Sequence, residues 1–289
     1  MLLFHHPSCV EYGSSLRPEQ PARITRSTAH LRKAHPEWVW RETGAAEESL
    51  LLAAHEPALI SRQQHAPDID DDTPWFPGIY DHARRAVGAA IAATDAALKG
   101  DKAFALMRPP GHHCTRAQAM GFCYLNSIAI AALHAVRAGR KVAVWDFDAH
   151  HGNGTEDILQ GRSSVLFTSV HQSPGYPGTG LHSFDNCQNF PVKPHSTRKT
   201  HLDFLARSWE EVLAFKPDLV LVSAGFDAYV HDPITEMTLE RPDFVELGRW
   251  LREAGLPTAA ILEGGYSADL PLLIDDFLSA WEKPTLLSA

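Results

Sequence analysis

Asp146 to Thr155 reads DFDAHHGNGT and follows directly on KVAVW, so two acids, two histidines and an asparagine crowd the end of an apolar run. Such groups are costly to bury unless they satisfy one another or a bound ion. On an extended segment Asp148 and His150 are two residues apart and point the same way. A carboxylate and an imidazole there can hold one divalent cation, and a catalytic zinc takes about three protein ligands of this kind with one position open. Asp227, in GFDA (Gly225 to Ala228), is the best third ligand. A lone DxH would more often be a pair bonded to loop backbone, but the neighbouring clusters favour a metal.

RPPGHH (Arg108 to His113) sets His112 and His113 behind a rigid turn that can fix both rings. A histidine near neutrality can take a proton from water and return it to a leaving group, while its neighbour binds or polarises. Each ring needs an orienting partner on its far nitrogen, and Asp146 and Asn153 are the candidates. Tyr266 follows Glu263-Gly264-Gly265, whose glycines let backbone approach a ligand, so Gly265 is a candidate substrate contact. The Tyr266 phenol could donate to an oxyanion. Gly121-Phe122-Cys123-Tyr124 and Tyr176-Pro177-Gly178 supply aromatic groups suited to a narrow apolar channel.

These clusters need a scaffold that brings them to one place. AFALM, KVAVW, VLFT, DLVLVSA and TAAIL read as strands buried on both faces, and each is followed at once by a chemistry-bearing stretch. Helical patterns alternate with them: DHARRAVGAAIAATDAALKG, NSIAIAALHAVRAG with Asn126 or Ser127 as cap and Gly139 as stop, HLDFLARSWEEVLAF and RPDFVELGRWLREAG. The alternation predicts a mostly parallel sheet in a three-layer αβα domain spanning residues 1–289. Ligands bind at the carboxyl edge of such a sheet, where all five clusters fall.

Composition narrows the function classes. A formal charge of −9 without a block of lysines or arginines excludes the footprint of sequence-independent nucleic-acid binding. Four widely spaced cysteines without a CxxC pair point to a reducing, cytoplasmic setting, with neither a disulfide framework nor a cysteine zinc knuckle. MLLFHHPSCVEYG is too short an apolar run for a signal peptide, and no run reaches the about eighteen residues of a membrane span. Scattered histidines such as His30, His55 and His134 read as ordinary packing or surface residues. Asp68, Asp70, Asp71 and Asp72 could attract a cationic peptide or polyamine, although acidic runs are usually solvated surface.

RPPGHH, GFCYLNS, DFDAHHGNGT, SVHQSPGYPGTG, SAGFDA and EGGY, with the early HHPSC and RPEQPARI, occur in the order and approximate spacing of the zinc-dependent histone deacetylase family, which this chain resembles from His5 to Tyr266. The resemblance implies an arginase-deacetylase fold and one zinc held by Asp148, His150 and Asp227. It implies His113 as general base and acid, His112 as its electrostatic partner, Asp146 behind His112, and Tyr266 as donor to the oxyanion. Asn153 stands behind His113 where class I enzymes carry an acid. Together with RPPGHH and Ser127 it looks like the class II pattern of bacterial deacetylase-like and acetylpolyamine amidohydrolases. A structural potassium ion at Asp146, Asp148, His150, Ser169 and Val170 is also implied. Phe122 and Tyr176 match the walls of an acyl-lysine tunnel, and Gly121 the carbonyl that accepts from the substrate amide.

The chain departs from the family in three places. SVHQSPGYPGTG is about two residues shorter than in many relatives, which alters the Tyr176 wall. His231 stands where glycine is usual and is expected at the pocket rim. Ile234 replaces the glutamate gatekeeper of polyamine-specific relatives. The implied reaction is hydrolysis of an N-acyl, foremost N-acetyl, amide of a lysine side chain, polyamine or similar amine. Two other readings are a manganese ureohydrolase, which would require an acid at Gly152, and an acyl-amide-binding module without turnover, which competent residues at every matched position disfavour.

Overall fold

The computed structural model describes residues 1–65 and 71–282. Among them, eight strands form one sheet in the order β2-β1-β3-β8-β7-β4-β5-β6. They are β1 (Leu2–His5), β2 (Val39–Glu42), β3 (Ala103–Ala105), β4 (Val142–Asp146), β5 (Val165–Gln172), β6 (Cys187–Val192), β7 (Leu219–Ala224) and β8 (Thr258–Leu262). Every pairing between them is parallel, beyond the mostly parallel sheet expected. Every residue of β4, β7 and β8 is buried, which is why these strands read as unbroken apolar runs rather than alternating ones.

The helices are α1 (Ala22–Ala34), α2 (Glu48–Leu51), α3 (Pro57–Gln63), α4 (Ile79–Ala97), α5 (Ser127–Arg137), α6 (Asn153–Leu159), α7 (Arg198–Phe215), α8 (Arg241–Ala254) and α9 (Leu270–Glu282). Alanine-rich α4 and α5 pack together against the centre of the sheet; the Asn126 side chain caps α5 by accepting from Ala129 N at 2.9 Å. On the other side α7, α8 and α9 meet large aromatics. Trp145 packs on Trp209 and Trp250 at centroid distances of 4.8 and 6.2 Å, and Phe147 on Phe277 at 5.6 Å. The Trp145 indole N–H is satisfied by Ser208 Oγ at 2.9 Å, so this bulk carries no unpaired donor into the core.

The carboxyl ends of β8, β7 and β4 lie side by side and deliver EGGY, GFDA and DFDAHH to one edge. The loop after β3 brings RPPGHH to the same place. α6 begins within DFDAHHGNG itself, and the N–H groups of Gly154 and Thr155 in its first turn donate to the His112 carbonyl at 3.0 and 3.1 Å. A Cβ at Gly154 would overlap the Cys114 carbonyl, so only glycine lets this helix start so close to the histidine turn.

Candidate active site

Asp148 and Asp227 leave adjacent strands β4 and β7 and are fully buried. His150 Nδ1 lies 2.9 Å from Asp227 Oδ2 and 3.3 Å from Asp148 Oδ1. One ligand atom from each of the three lies within 4.8 Å of the others. Backbone amides hold the carboxylates from behind: His150 N and Gly264 N donate to Asp148 at 2.9 and 2.7 Å, and Ala149 N to Asp227 at 2.8 Å. Gly225 and Gly264 press against these groups so closely that a Cβ at either would overlap the Asp148 carboxylate.

This corner is short of positive charge. Among the described residues, the ion-pair partners of Asp148 and Asp227 are the imidazoles of His112 and His150, with no lysine or arginine. Burial opposes a charge on His150, yet Asp227 and Asp148 outweigh it and push its pKa up to about 10. Burial likewise pushes the Asp227 and Asp146 carboxyls up. For Asp148 burial acts in the same direction, but the rings of His112 and His150 prevail and hold it below the usual carboxylate range. Two buried oxygens and one imidazole, fixed by backbone and facing a cleft, fit a single zinc-type cation.

The tandem histidines are held differently. His112 Nδ1 is 3.1 Å from Asp146 Oδ2, whereas His113 Nδ1 is 2.8 Å from the Asn153 carboxamide oxygen. That oxygen can only accept, so His113 Nδ1 carries the proton and Nε2 is left with its lone pair. Burial and the neighbouring rings of His112 and His150 push His113 well below the ordinary imidazole pKa. Burial acts the same way on His112, but Asp148 and Asp146 reverse it and push its pKa up to about 10. The surroundings thus favour the charged form of His112 and the neutral form of His113, a difference that acid-base chemistry can use.

His113 and His150 line a cleft of about 270 Å³. Gly121, Phe122 and Tyr176 form its walls, and His113, His150 and Tyr266 line it more deeply. Gly121 has φ +56°, and a Cβ there would sit 2.7 Å from His113 Cδ2 and 2.9 Å from the Tyr176 ring, so glycine is required on both counts. Phe122 is also left-handed, at φ +67°, with its N–H on Thr73 Oγ1 at 3.2 Å. Tyr176 stands edge-on to His113 at 5.1 Å. Burial keeps the Tyr266 phenol well above its ordinary pKa, hence protonated and able to donate.

The family pattern of the histone deacetylase domain matches residues 17–275 of the chain. The chain belongs to the histone deacetylase family. It is 38% identical over 274 residues to the uncharacterised protein slr0245 of Synechocystis, covering 86% of this chain and 88% of that one. It is 31% identical to acetylpolyamine amidohydrolase 2 of Pseudomonas aeruginosa, over 86% of this chain and 78% of that one. Among solved structures it is similar to an acetylpolyamine aminohydrolase from Burkholderia pseudomallei, with TM-score 0.86 and 27% identity over 97% of this chain and 98% of that one. The sheet, helices and candidate site described above are therefore those of a histone deacetylase family member, on the arginase-deacetylase fold.

Ser169 pairs in register with Asp146 across β4 and β5, with Val170 next to it, and Ser169 Oγ is 2.9 Å from His171 Nδ1. Ile234 lines the cleft at its rim. Gly265 does not line the cleft; its carbonyl accepts from Arg23 Nε at 2.7 Å. His231, expected at the rim, instead packs edge-on against Tyr229 at 5.2 Å, outside the lining. A Cβ at Gly152 would overlap the Asp146 carboxylate, so the acid a two-metal ureohydrolase needs has no room. Asp68 and Asp70 lie outside the described residues, while Asp72 lines the cleft.

Two acids with structural duties had gone unassigned. Glu263 Oε2 accepts from Gly111 N and His112 N at 2.7 and 3.1 Å, fixing the histidine turn; burial pushes its pKa up to about 7. Asp232 accepts from Tyr266 N at 2.7 Å and Ile234 N at 3.1 Å, joining the tyrosine loop to the rim. Their position gave a signal in each case: an acid at a strand end within EGGY, and an acid before proline within HDP.

Proposed function

We propose that this family member is a zinc-dependent amidohydrolase that removes an acyl group, foremost acetyl, from a lysine side chain, polyamine or similar primary amine. The observation that carries the reading is that one aromatic-walled cleft is lined both by His150, a member of a three-residue group that could hold a cation, and by His113, whose Nδ1 is engaged by Asn153 so that its other nitrogen is free to act as a base.

Zinc held by Asp148, His150 and Asp227 would polarise the amide carbonyl and make a bound water more acidic. The chain's own residues supply the rest. Phe122 and Tyr176 accept a narrow apolar chain and exclude water from its flanks. His113 Nε2 takes the proton of the attacking water as the new C–O bond forms, then delivers it to the amine as the C–N bond breaks. His112, held as a cation by Asp146 and Asp148, favours negative charge developing beside it. The Tyr266 phenol donates to the oxyanion. A potassium ion bound through Asp146, Asp148, His150, Ser169 and Val170 would brace the ends of β4 and β5. Four buried, unpaired cysteines support a reducing, cytoplasmic setting, and among the described residues no helix is long and apolar enough to cross a membrane.

Tyr266→Phe tests the assignment. Removing one oxyanion donor is expected to lower kcat by about 10²–10³ while leaving zinc content unchanged by elemental analysis. Unaltered turnover would remove the phenol from the mechanism.

A further inference from the structure

His113 rests on a side chain with two unlike ends. Asn153 offers its carboxamide oxygen to His113 Nδ1 at 2.8 Å and donates from Nδ2 to Met120 Sδ at 3.4 Å. An amide oxygen only accepts and an NH2 only donates, so the two ways round give the ring opposite instructions. With the oxygen toward His113, the proton sits on Nδ1 and Nε2 keeps its lone pair. With the NH2 toward His113, Nδ1 must accept, the proton moves to Nε2, and no lone pair is left there. The ring alone does not choose, because a neutral imidazole pairs with either end. Asn153 also borders a second, open cleft of about 400 Å³ with Thr115, Glu156 and Thr179, where water can serve either end and so selects neither.

Met120 does select. A thioether sulfur is a weak acceptor and never a donor, so an inverted carboxamide would set its oxygen against the sulfur with no proton between them. The sulfur is carried by a fixed piece of backbone. Met120 N donates to the Cys123 carbonyl at 3.1 Å and Cys123 N to the Met120 carbonyl at 2.9 Å, closing a turn whose tip, Gly121 and Phe122, is left-handed at φ +56° and +67°. Met120 itself stands outside the cleft lining, so its effect has to pass through Asn153. We propose that Met120 is a positioning residue, whose sulfur turns the Asn153 carboxamide oxygen toward His113 and thereby keeps His113 Nε2 unprotonated and able to act as a base. The proposal rests on the amidohydrolase reading above and adds to it the group that decides which nitrogen of the base carries the proton.

Met120→Leu removes the acceptor at nearly constant volume, a change cores tolerate. The two orientations of Asn153 then come close in energy, and only molecules with a free Nε2 turn over. With zinc-loaded enzyme, kcat is expected to fall about twofold to fivefold at nearly unchanged KM, the range expected for one modest hydrogen bond. The same substitution added to Asn153→Asp should cause no fall, because a carboxylate has two like ends and nothing to orient. An equal fall in both backgrounds would mean that Met120 only packs, and overturns the proposal.

Nitrogen-15 NMR of the histidine rings above neutral pH reads the tautomer without turnover, the His113 signals being assigned by their loss in His113→Ala. Wild type should show His113 protonated on Nδ1, and Met120→Leu a share protonated on Nε2 that matches the share of kcat lost. An unchanged tautomer overturns the proposal, whether or not acyl amides are hydrolysed. A shifted tautomer in an enzyme that hydrolyses none of an acetyl-lysine peptide, an acetylpolyamine or a longer acyl amide would support the positioning role and remove the amidohydrolase reading.

Discussion

Two groups of buried charges meet near the carboxyl edge of the sheet, and they are completed in opposite ways. In the first, Arg108 forks onto both carboxylate oxygens of Glu19, with Nη2 to Oε2 at 2.6 Å, and Arg23 Nη1 lies 3.4 Å from Glu19 Oε1. The remaining guanidinium donors go to carbonyls: Arg108 to Cys9 at 2.9 Å, Arg23 to Gly265 at 2.7 Å and to Glu263. Burial pushes the Glu19 carboxyl up, but Arg108 and Arg23 prevail and hold it below its usual range. In the second group, the ion-pair partners of Asp146, Asp148 and Asp227 among the described residues are imidazoles. A buried carboxylate matched by guanidinium is already stable and inert; carboxylates matched by imidazoles beside a cleft still favour another cation. The first group braces the loop that carries Tyr266, and the second is a group that could hold a metal ion.

The largest expected effect breaks the second group. Asp227→Asn removes one ligand charge at nearly constant shape, so zinc per chain should fall from near one to near zero after dialysis, and turnover to below about 10⁻³ of wild type. Added zinc should raise the melting temperature of the wild type and not of the variant, because only binding to the folded state stabilises it. Retained zinc and activity would show that this cluster does not need Asp227 to hold its cation.

Breaking the first group should act on stability instead. Glu19→Gln leaves Arg108 buried without its counter-charge, and losing one partner of such a pair costs about 3–5 kcal/mol. Urea unfolding should show that loss, while the folded fraction keeps its zinc. A change under about 1 kcal/mol would mean that the carbonyls around Arg108 suffice.

The contrast also explains what could be read from sequence. Strands β4, β7 and β8 were legible because burial on both faces forces unbroken apolar runs, and the polar clusters following them marked the binding edge. Strands β1, β2 and β6 carried no such signal. β2 is an exposed edge strand of mixed residues, and β6 is the opposite edge, where Pro191 is tolerated. α1 shows only a thin stripe of buried Arg23, Ile24, Ser27 and Leu31, of which two are apolar. In the site, Asp148, His150 and His113 stood out because costly groups sat at strand ends. The Glu19–Arg108 brace did not, since its partners are 89 residues apart and each alone is an ordinary charge. His55, read as unremarkable, proves to be a buried connector between Thr115 O and Asn126 N, at 2.9 Å each; burial pushes its pKa down to about 4. His231 and Gly265 show the converse, because sequence position alone did not reveal which way they face.

The smallest effect sharpens a comparison inside the site, between a histidine backed by carboxylate and one backed by carboxamide. His113 is held below the ordinary imidazole pKa first by burial, then by the neighbouring groups His112 and His150, and Asn153 adds no negative charge to offset them. Asn153→Asp would place a carboxylate 2.8 Å from Nδ1, as Asp146 stands 3.1 Å from His112. Negative charge there favours the imidazolium and raises the His113 pKa, by about 1–3 units for an adjacent opposite charge. The base is active when unprotonated, so with a raised pKa the loss of activity on acidification sets in at a higher pH: the acidic limb of kcat/KM against pH should move upward by about one unit or more. Metal content checked at each pH separates this shift from loss of zinc. A limb that stays in place would mean that Asn153 does not face the base during turnover, and that the neutral partner of His113 is not what keeps it free to accept a proton.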